Sequence, residues 1–394
     1  MNTPVSEPRT ASRRPAGLAL PFDAVLLIAA LGLCVCSLLT IGGATRTDIA
    51  GQPHFYVVRQ GIYFGVGLGL AAVLSRLDYS RLRAAKWPLY AFIIGSIVAV
   101  SAVGSVARGS RRAIQFPFFS FQASELAKIL LVAALAAFLT DRARGLGNRD
   151  TTARTLLLAL IPAALVMLQP DLGSSLVFIA IVLTLLFVAG TPARHFAALA
   201  ALGAVAVTLV LVVGPATGHE LLHGYQKQRL TAFLNPTANL RGPGFQQNQS
   251  RIAIGSGEKT GRGDRATQTA YGFLPEHHTD FVFASAGERF GFAGCALVLS
   301  LYALLIWRGL RIMTVAKNLF GALIAGGVVA MVLFQVFVNV GMTVGIMPIT
   351  GIPLPLMSYG GSSVITTFLA IGLLQSIYAQ GRASSKGKGR VLGA

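Results

Sequence analysis

Long apolar runs separated by short polar segments fill most of the chain between residues 20 and 381. A helix needs about 20 mostly apolar residues to cross the hydrocarbon core of a bilayer. Ten runs approach or meet this length, at 22–43, 55–75, 88–107, 124–140, 155–169, 172–190, 195–214, 289–307, 318–345 and 361–380. The pattern therefore predicts an all-α, polytopic membrane domain of ten spanning helices.

The segments outside the spans form two tails and one long connection. Residues 1–19 are polar, basic and contain proline, which predicts a disordered cytoplasmic tail, and residues 382–394 form a second basic tail. The long connection, residues 215–288, separates the seventh and eighth spans. Because YQKQRLTAFLNP (225–236) has apolar residues at roughly helical spacing, we expect a functional loop with an interfacial helix instead of a disordered linker.

The cations of the short connections predict the orientation in the membrane. Lys and Arg concentrate in cytoplasmic loops, and a cytoplasmic N-terminus places nearly all of the short-loop cations on that side. Both termini are then cytoplasmic, and the loop 215–288 is external. The loop 108–122 is an exception, because it faces outward and carries Arg108, Arg111 and Arg112. A cationic loop on this side suggests an anionic ligand.

Composition and charge agree with a membrane protein. Hydrophobic residues make up 54% of the chain and charged residues 12%, about half the charge of an ordinary soluble domain. The net charge of +19 comes largely from Lys and Arg that flank the spans, so we do not expect a nucleic-acid partner. The three cysteines lie in apolar runs, at spacings that fit neither a disulfide framework nor a zinc site.

Glu125, Lys128 and Asp171 lie in or at the ends of predicted spans, where charges are costly and often functional. Glu125 and Lys128 are three positions apart at the start of the fourth span, so they share a helix face and can pair. This pair is either structural alone or part of a functional site, and Ser124 could cap the helix. Asp171 follows Pro170 at the start of the sixth span, where an Asp can serve as the N-cap.

The segment FLPEHHTDFVFA (273–284) concentrates two carboxylates and two histidines at the external membrane boundary. Asp280 precedes three apolar residues, and a carboxylate half-buried in such surroundings suits a general base. An interfacial cap or an ion-pair member is the plainer interpretation of the same residue. His277 and His278 do not predict a metal site, because adjacent side chains on a helix diverge and no further ligand stands nearby at zinc spacing.

The glycine-rich GSGEKTGRG (255–263) does not fit a phosphate-binding loop. Glu258 stands where that motif requires a glycine before the lysine, and no strand and helix frame the segment. We expect a flexible re-entrant turn, since glycine serves where the backbone bends tightly.

The chain resembles the SEDS family (shape, elongation, division and sporulation) of membrane peptidoglycan polymerases over nearly all of its membrane part. The resemblance rests on FQASELAK, QPDLGSSL, YQKQRL, QSRIAIGSG, FLPEHHTDFVFA and PITGIPLPLMSYGGSS. FVNVGMTVGIMP and PEHHTDFVFA look more like the elongation member RodA than the division member FtsW. The resemblance implies ten helices in the bacterial cytoplasmic membrane, polymerisation of lipid II outside it, and a class B penicillin-binding protein as crosslinking partner.

The resemblance also implies roles for particular residues. The family's essential aspartate matches Asp280, and its Glu–Lys pair matches Glu125 and Lys128. We expect Asp280 to act as the base when a sugar 4-hydroxyl attacks the anomeric carbon of an α-linked donor, with inversion to a β-linked product. The expected substrate-binding residues are Glu125, Lys128, Arg111, Arg229, Gln249, Ser250, Asp171, Ser358 and Ser362. A divalent cation, Mg²⁺ or Mn²⁺, could assist at the pyrophosphate, no organic cofactor is expected, and membrane lipid surrounds the helices.

Three short segments depart from the usual family pattern. QASE (122–125) stands in place of Gln-Pro-Ser-Glu, ER (288–289) in place of Glu-Glu, and GE (257–258) in place of Gly-Gly. Other functions remain open beside the polymerase. A lipid II flippase would also need many helices and a broken one, a scaffold would only recruit the crosslinking partner, and an FtsW-like division paralogue would share the chemistry.

Overall fold

The computed structural model describes residues 22–107, 110–209, 224, 229, 232–233 and 242–391. Within these ranges the chain is mostly helical, and ten apolar helices follow the ten predicted spans. Eight of them are long and apolar enough to cross a membrane, and two are shorter apolar helices. The predicted all-α, polytopic fold is therefore confirmed. Most of the predicted interfacial helix at 225–236, and the first tail, lie outside the described residues.

The helices are numbered here in chain order. The ten apolar helices are α1 (Ala24–Ala44), α2 (Phe55–Arg76), α4 (Lys86–Val103), α5 (Ala123–Asp141), α6 (Arg149–Leu168), α7 (Leu172–Val188), α8 (Ala193–Thr208), α11 (Val282–Val315), α12 (Leu319–Val344) and α13 (Gly361–Val391). Three short helices connect them, α3 (Arg81–Ala84), α9 (Pro243–Ser256) and α10 (Thr267–Ala270), together with 3₁₀ turns at Ala143–Gly145 and Gly263–Arg265.

The eighth predicted span is longer than expected and contains a kink. The sequence predicts 289–307, whereas α11 begins at Val282 and ends at Val315. Gly291 has non-helical torsion angles inside the helix, with φ 61° and ψ −159°. The apolar pattern missed the first turns because ASAGER (284–289) contains small and charged residues. As a result, α11 begins directly after the segment that carries Asp280.

The kink frees backbone amides of α11, and the glycine-rich loop 257–262 accepts their hydrogen bonds. Phe292 N donates to Glu258 O at 2.9 Å, which satisfies a donor that an uninterrupted helix would pair internally. A Cβ on Gly261 would lie 2.2 Å from the carbonyl oxygen of Arg289, and its φ is +83°. The glycines therefore permit backbone-to-backbone contact with α11, whereas the sequence predicted a flexible turn.

A small antiparallel sheet connects α4 to α5. It consists of β1 (Ser105–Ala107), β2 (Ser110–Gln115) and β3 (Ser120–Phe121), in the order β1-β2-β3. The sequence did not predict these strands, because segments of two to six residues are too short to show a clear alternation of polar and apolar positions. The sheet holds the loop between α4 and α5 against one end of the helix bundle.

The bundle has an interior and a lipid-facing surface. Leu131 of α5, Phe178 of α7 and Leu323 of α12 are fully buried. By contrast, Phe92 of α4 is 52% exposed and Leu157 of α6 is 59% exposed. Large exposed apolar side chains on spanning helices are the surface that contacts lipid.

The two ends of the bundle differ in charge. At one end, here called the basic end, Arg83 and Lys86 both pair with Asp141, and Lys317 Nζ lies 3.6 Å from Asp78 Oδ1. The opposite end, here called the site end, is formed by residues 45–54, 105–107, 110–122, 169–171, 242–281 and 345–360. The sequence-predicted functional residues lie mainly at the site end or on the helix turns just inside it.

Candidate functional site

The segment 275–281, here called the Asp280 segment, places its carboxylate at the start of a helix. Asp280 is half-buried and lies two positions before Val282, the first residue of α11. Leu274 and Phe281, on either side of the carboxylate in the chain, are buried. The N-terminus of a helix presents unpaired amides and the positive end of its macrodipole, and both attract anionic groups. The Asp280 carboxylate therefore lies between buried apolar residues and the N-terminus of α11.

The residues 345–360, here called the 345–360 loop, are bonded directly to the Asp280 segment. Tyr359 N donates to His278 O at 2.8 Å. Ser358 Oγ donates to Thr279 O at 2.6 Å and accepts from Leu354 N at 2.8 Å. Because Ser358 is 2% exposed and bonds the backbone in both directions, it fixes the position of the segment next to Asp280.

Asn339 of α12 joins the same two segments, and sequence reasoning missed it. Its Nδ2 donates to Asp280 O at 2.9 Å and to Ile352 O at 2.8 Å, and the residue is fully buried. A lone amide in the apolar run of a spanning helix was the available signal, because unbonded polar groups are costly there. Asn339 therefore fixes the backbone from which the Asp280 carboxylate projects.

Arg229 and Asp280 approach the same glycine of the 345–360 loop. Arg229 Nη1 donates to Thr350 O at 3.0 Å. A Cβ on Gly351 would lie 3.5 Å from Asp280 Oδ2 and 3.9 Å from Arg229 Nη1. Gly351 also has a positive φ of +75°, which favours glycine. The site thus brings a carboxylate and a guanidinium close to one backbone position that has no side chain.

Asp171 caps α7, as the sequence predicted, and also bonds to α5. Its Oδ1 accepts from Ser174 N at 3.1 Å, and its Oδ2 accepts from Ser124 Oγ at 3.1 Å and Gln122 Nε2 at 3.2 Å. The α5 helix begins at Ala123 with Gln122 as its N-cap residue, so the predicted capping role of Ser124 is wrong. Ser124 instead joins α5 to α7 through the carboxylate.

Ser362 extends this network to the start of α13. Its Oγ donates to Ser120 O at 2.6 Å and accepts from Gln122 N at 3.0 Å. The start of α7 in turn packs on the 345–360 loop, since a Cβ on Gly173 would lie 3.0 Å from Thr350 O. The start of α7, which Asp171 caps, and the Asp280 segment therefore both contact the 345–360 loop.

Glu125 and Lys128 form the predicted ion pair inside the bundle. Lys128 Nζ lies 2.6 Å from Glu125 Oε1, and the two side chains are 1% and 3% exposed. Two charges at this depth require each other, because an unpaired buried charge is strongly destabilising. In this conformation the pair lies behind the Asp171 network and does not reach the surface.

The remaining predicted site residues are Ser250 and Gln249 of α9 and Arg111 of β2. Ser250 Oγ donates to Thr343 O at 2.8 Å, which joins α9 to α12. Gln249 Oε1 is buried and has no hydrogen-bond partner within the described part of the chain. Arg251 Nη2 donates to Gly345 O at the end of α12. Arg111 lies in β2, and its side chain is outside the described residues.

The fold and the site together define a multi-pass helical membrane protein with a carboxylate, a guanidinium and a buried polar network at one end. A family model described as "Cell cycle protein", for FtsW, RodA and SpoVE, matches residues 19–383. The chain therefore belongs to the FtsW/RodA/SpoVE family, and the resemblance inferred from the motifs is confirmed at that level.

Individual relatives agree with this assignment. The chain is 37% identical over 372 residues to "Peptidoglycan glycosyltransferase MrdB" of Escherichia coli (strain K12), covering 92% of this chain and 95% of MrdB. It is 37% identical over 378 residues to "Probable peptidoglycan glycosyltransferase FtsW" of Thioalkalivibrio sulfidiphilus, covering 94% of this chain and 91% of that protein. Because these two relatives are equally similar, they do not separate the RodA-like from the FtsW-like members.

A solved structure has the same fold. The chain resembles a protein solved in "Structural coordination of polymerization and crosslinking by a peptidoglycan synthase complex", with a TM-score of 0.77 and 32% identity. The match covers 92% of this chain and 99% of that one.

Proposed function

We propose that the protein is a peptidoglycan glycosyltransferase that polymerises lipid II at the outer face of the bacterial cytoplasmic membrane. Relatives that match this chain over more than nine-tenths of its length carry the name peptidoglycan glycosyltransferase. The observation that carries the proposal is the position of Asp280. It is a half-buried carboxylate at a helix N-terminus, beside Arg229 and at the end of the bundle opposite the basic end.

Asp280 acts as the general base of the proposed reaction. The 4-hydroxyl oxygen of one sugar attacks the anomeric carbon of the next, and its proton passes to the Asp280 carboxylate. As the new carbon–oxygen bond forms, the bond to the pyrophosphate breaks and the pyrophosphate leaves with the electron pair. Attack from the face opposite the leaving group converts an α-linked donor into a β-linked product, so the reaction inverts the anomeric carbon.

Arg229 is proposed to contact the anionic leaving group. Its guanidinium lies near Asp280, because both groups approach Gly351, and arginine pairs well with phosphate oxygens. Arg111 and Gln249 remain proposed substrate contacts, because they lie at the site end. Ser250, Ser358 and Ser362 donate to backbone carbonyls, so we propose that they act by positioning the loops that contact the substrate.

The buried carboxylates and Lys128 are proposed to position the site indirectly. Asp171 joins α5 to α7 beneath the 345–360 loop, and the Glu125–Lys128 pair lies one turn further along α5. Substrate contact with this pair would require the helices to separate. The geometry therefore favours a role in holding the start of α5 and the floor of the site.

We also propose that a divalent cation, Mg²⁺ or Mn²⁺, binds at the pyrophosphate of the substrate. Mg²⁺ typically binds one or two carboxylates together with substrate phosphates. Asp280 is a carboxylate in the right place, and the substrate would provide the phosphate oxygens, so the residues fit such an ion. When bound, the ion would neutralise charge on the leaving pyrophosphate.

The partner, the cellular role and the orientation complete the proposal. A class B penicillin-binding protein supplies crosslinking, which is supported by the fold shared with a chain of a peptidoglycan synthase complex. FVNVGMTVGIMP and PEHHTDFVFA favour an elongation role. Both termini are cytoplasmic, because the basic end carries the short-loop cations. Depletion of the protein should give rounded cells, whereas filaments would indicate a division role.

The test separates polymerisation from transport of the same substrate. Purified protein, with its cognate crosslinking partner, is incubated with labelled lipid II and Mg²⁺ or Mn²⁺, and the products are separated by glycan length on a gel. A second sample is placed in vesicles that hold lipid II in one leaflet. Glycan polymer without transfer between leaflets is expected. Transfer without polymer would replace the proposal with the flippase.

A further inference from the structure

Three metal-binding side chains meet at the site end, on two segments that are far apart in the sequence. Asp48 lies in the loop between α1 and α2, and His277 and His278 lie in the Asp280 segment. His277 Nε2 is 3.2 Å from Asp48 Oδ2, and His278 Nδ1 is 3.8 Å from the same oxygen. One ligand atom from each residue can be chosen so that all three lie within 4.8 Å of one another.

The two adjacent histidines converge because the Asp280 segment is not helical. Glu276 has a left-handed φ of 56°, and Phe281 N donates to Glu276 O at 3.1 Å to close the turn. On a helix the two neighbouring side chains would diverge, which is why the sequence did not predict a metal at these histidines. In the turn, the imidazole rings of His277 and His278 contact each other edge to face, with centroids 5.1 Å apart.

The hydrogen bonds of His277 leave one ring nitrogen facing the carboxylate. Its Nδ1 lies 3.1 Å from Leu274 O, and a carbonyl can only accept, so Nδ1 carries the proton in the neutral ring. In this neutral form the Nε2 lone pair faces Asp48 Oδ2 at 3.2 Å, and neither atom carries a proton to share. The side chain of His277 is 8% exposed. A buried lone pair that faces a carboxylate is unfavourable, and either a second proton on the ring or a metal ion bound to both atoms removes the conflict.

The donor set selects the kind of cation. Two imidazoles and one carboxylate suit Zn²⁺ and neighbouring transition metals, whereas Mg²⁺ prefers oxygen ligands alone. Bond lengths of about 2.0–2.1 Å at a tetrahedral ion place ligand atoms about 3.3 Å apart. The distance of 3.2 Å between His277 and Asp48 already matches this value. The ring of His278, which contacts Tyr56 with centroids 4.6 Å apart, must move closer by a side-chain rotation.

We propose that Asp48, His277 and His278 bind a divalent transition-metal ion of the zinc type. The ion joins the loop between α1 and α2 to the Asp280 segment, and its ligands end two positions before the proposed general base. This site differs from the Mg²⁺ or Mn²⁺ proposed at the pyrophosphate in its ligands and in its place. The zinc-type ion has a structural role, because it holds the Asp280 segment in place. Its binding can therefore be measured in the absence of substrate.

The test uses Co²⁺ as a spectroscopic probe of the full-length protein, purified in detergent without a histidine tag. Tetrahedral Co²⁺ bound through imidazole nitrogens gives visible absorption bands that octahedral aqueous Co²⁺ largely lacks. One Co²⁺ per chain is expected, with these bands, displacement by Zn²⁺ but not by excess Mg²⁺, and a higher melting temperature when metal is bound. No Co²⁺ or Zn²⁺ binding by the wild-type protein would overturn the proposal without any variant.

Variants locate the ion. Asp48→Asn and His277→Gln should each weaken Co²⁺ binding by at least about 10–100-fold, the range known for weaker perturbations of metal sites. His54→Gln is the matched control, since this exposed histidine lies in the same loop as Asp48 and should leave binding unchanged. Equal binding by wild type and both ligand variants would place the metal elsewhere. In that case a proton held between His277 and Asp48 would account for the contact.

Discussion

At the scale of single residues, Glu125 and Lys128 show how a membrane protein holds charge in its interior. Their side chains are 1–3% exposed and lie 2.6 Å apart, so neither charge has access to water. Removing one partner of such a pair costs about 3–5 kcal/mol, whereas replacing both with apolar residues is often close to neutral. Each charge of the pair therefore compensates the other, and the pair as a whole adds little to the net stability.

The effects of substitutions at Glu125 and Lys128 on the free energy of unfolding should therefore be strongly non-additive. Glu125→Leu and Lys128→Met alone should each lower the free energy of unfolding by about 3–5 kcal/mol, and the double variant should recover most of the loss. Thermal unfolding in detergent measures all three. Arg154→Met is the control, because the Arg154–Asp150 pair is more than half exposed and should be dispensable. Additive losses in the double variant would contradict the compensating pair.

His277 shows a different balance at the site end, outside the spanning helices. Burial lowers the pKa of this imidazole. Its hydrogen bond and charge interaction with Asp48, together with the Leu274 carbonyl and the Glu276 charge, raise it by more in sum, so the net pKa is raised. A proton and a metal ion would both satisfy the same geometry. The Co²⁺ titration distinguishes them, because only the metal gives one bound ion per chain and a visible spectrum.

At the scale of elements, the kink of α11 depends on a contact between two glycines. Gly291 has a positive φ, and a Cβ at this position would lie 2.4 Å from Gly261 N. The loop 257–262 can approach α11 only because neither residue has a side chain. The kink in turn directs the first turns of α11, and with them the Asp280 segment, toward the 345–360 loop.

Gly291→Ala should therefore destabilise the protein and reduce the activity of the site. Unfavourable backbone torsion alone costs on the order of 1–3 kcal/mol, and the steric clash with the loop adds to it. Gly255→Ala is the matched control, because Gly255 lies in α9 with open space around its Cβ position. That variant should be neutral or slightly stabilising. Equal melting temperatures for the two variants would show that the close approach does not matter.

The elements also show what the sequence could and could not predict. Apolar helices follow from apolar runs, because bilayer thickness fixes the length of a span. The described residues hold an apolar helix at each of the ten predicted spans, and eight of these helices are long enough to cross a membrane. The N-cap role of Asp171 and the Glu125–Lys128 pair follow from local spacing along one helix. The kink at Gly291, the sheet between α4 and α5, and the bonds of Asn339 depend on neighbours distant in the chain, which spacing cannot reveal.

At the scale of the whole molecule, the separation of charge between the two ends predicts the orientation. The short connections of the basic end carry many more Lys and Arg than Asp and Glu. At the site end, the Lys and Arg of the described residues are nearly balanced by acidic residues such as Asp48, Asp264 and Asp280. If cations mark the cytoplasmic side, the site faces outward. The loop 45–54, the Asp280 segment and the 345–360 loop meet at the site end, and the sequence alone did not predict Asp48 among the site residues.

Cysteine labelling tests this orientation. The three native cysteines lie in apolar helices and are first replaced by alanine. Tyr271→Cys adds a thiol at a position that is 74% exposed at the site end, and Arg144→Cys adds one at the exposed basic end. A membrane-impermeant maleimide should label only the Tyr271→Cys variant in intact cells or spheroplasts, and both after lysis. Labelling of Arg144→Cys alone before lysis would reverse the topology.

The most direct test of the whole account is the rate of glycan polymerisation by the Asp280→Asn variant. The substitution keeps the size of the side chain but removes the base, so the rate should fall on the order of 10²–10⁴-fold, with lipid II binding and melting temperature close to wild type. Glu276→Gln is the matched control, because it neutralises the other carboxylate of the same segment and should retain most of the rate. An Asp280→Asn variant that polymerises at the wild-type rate would contradict the assignment of Asp280 as the general base.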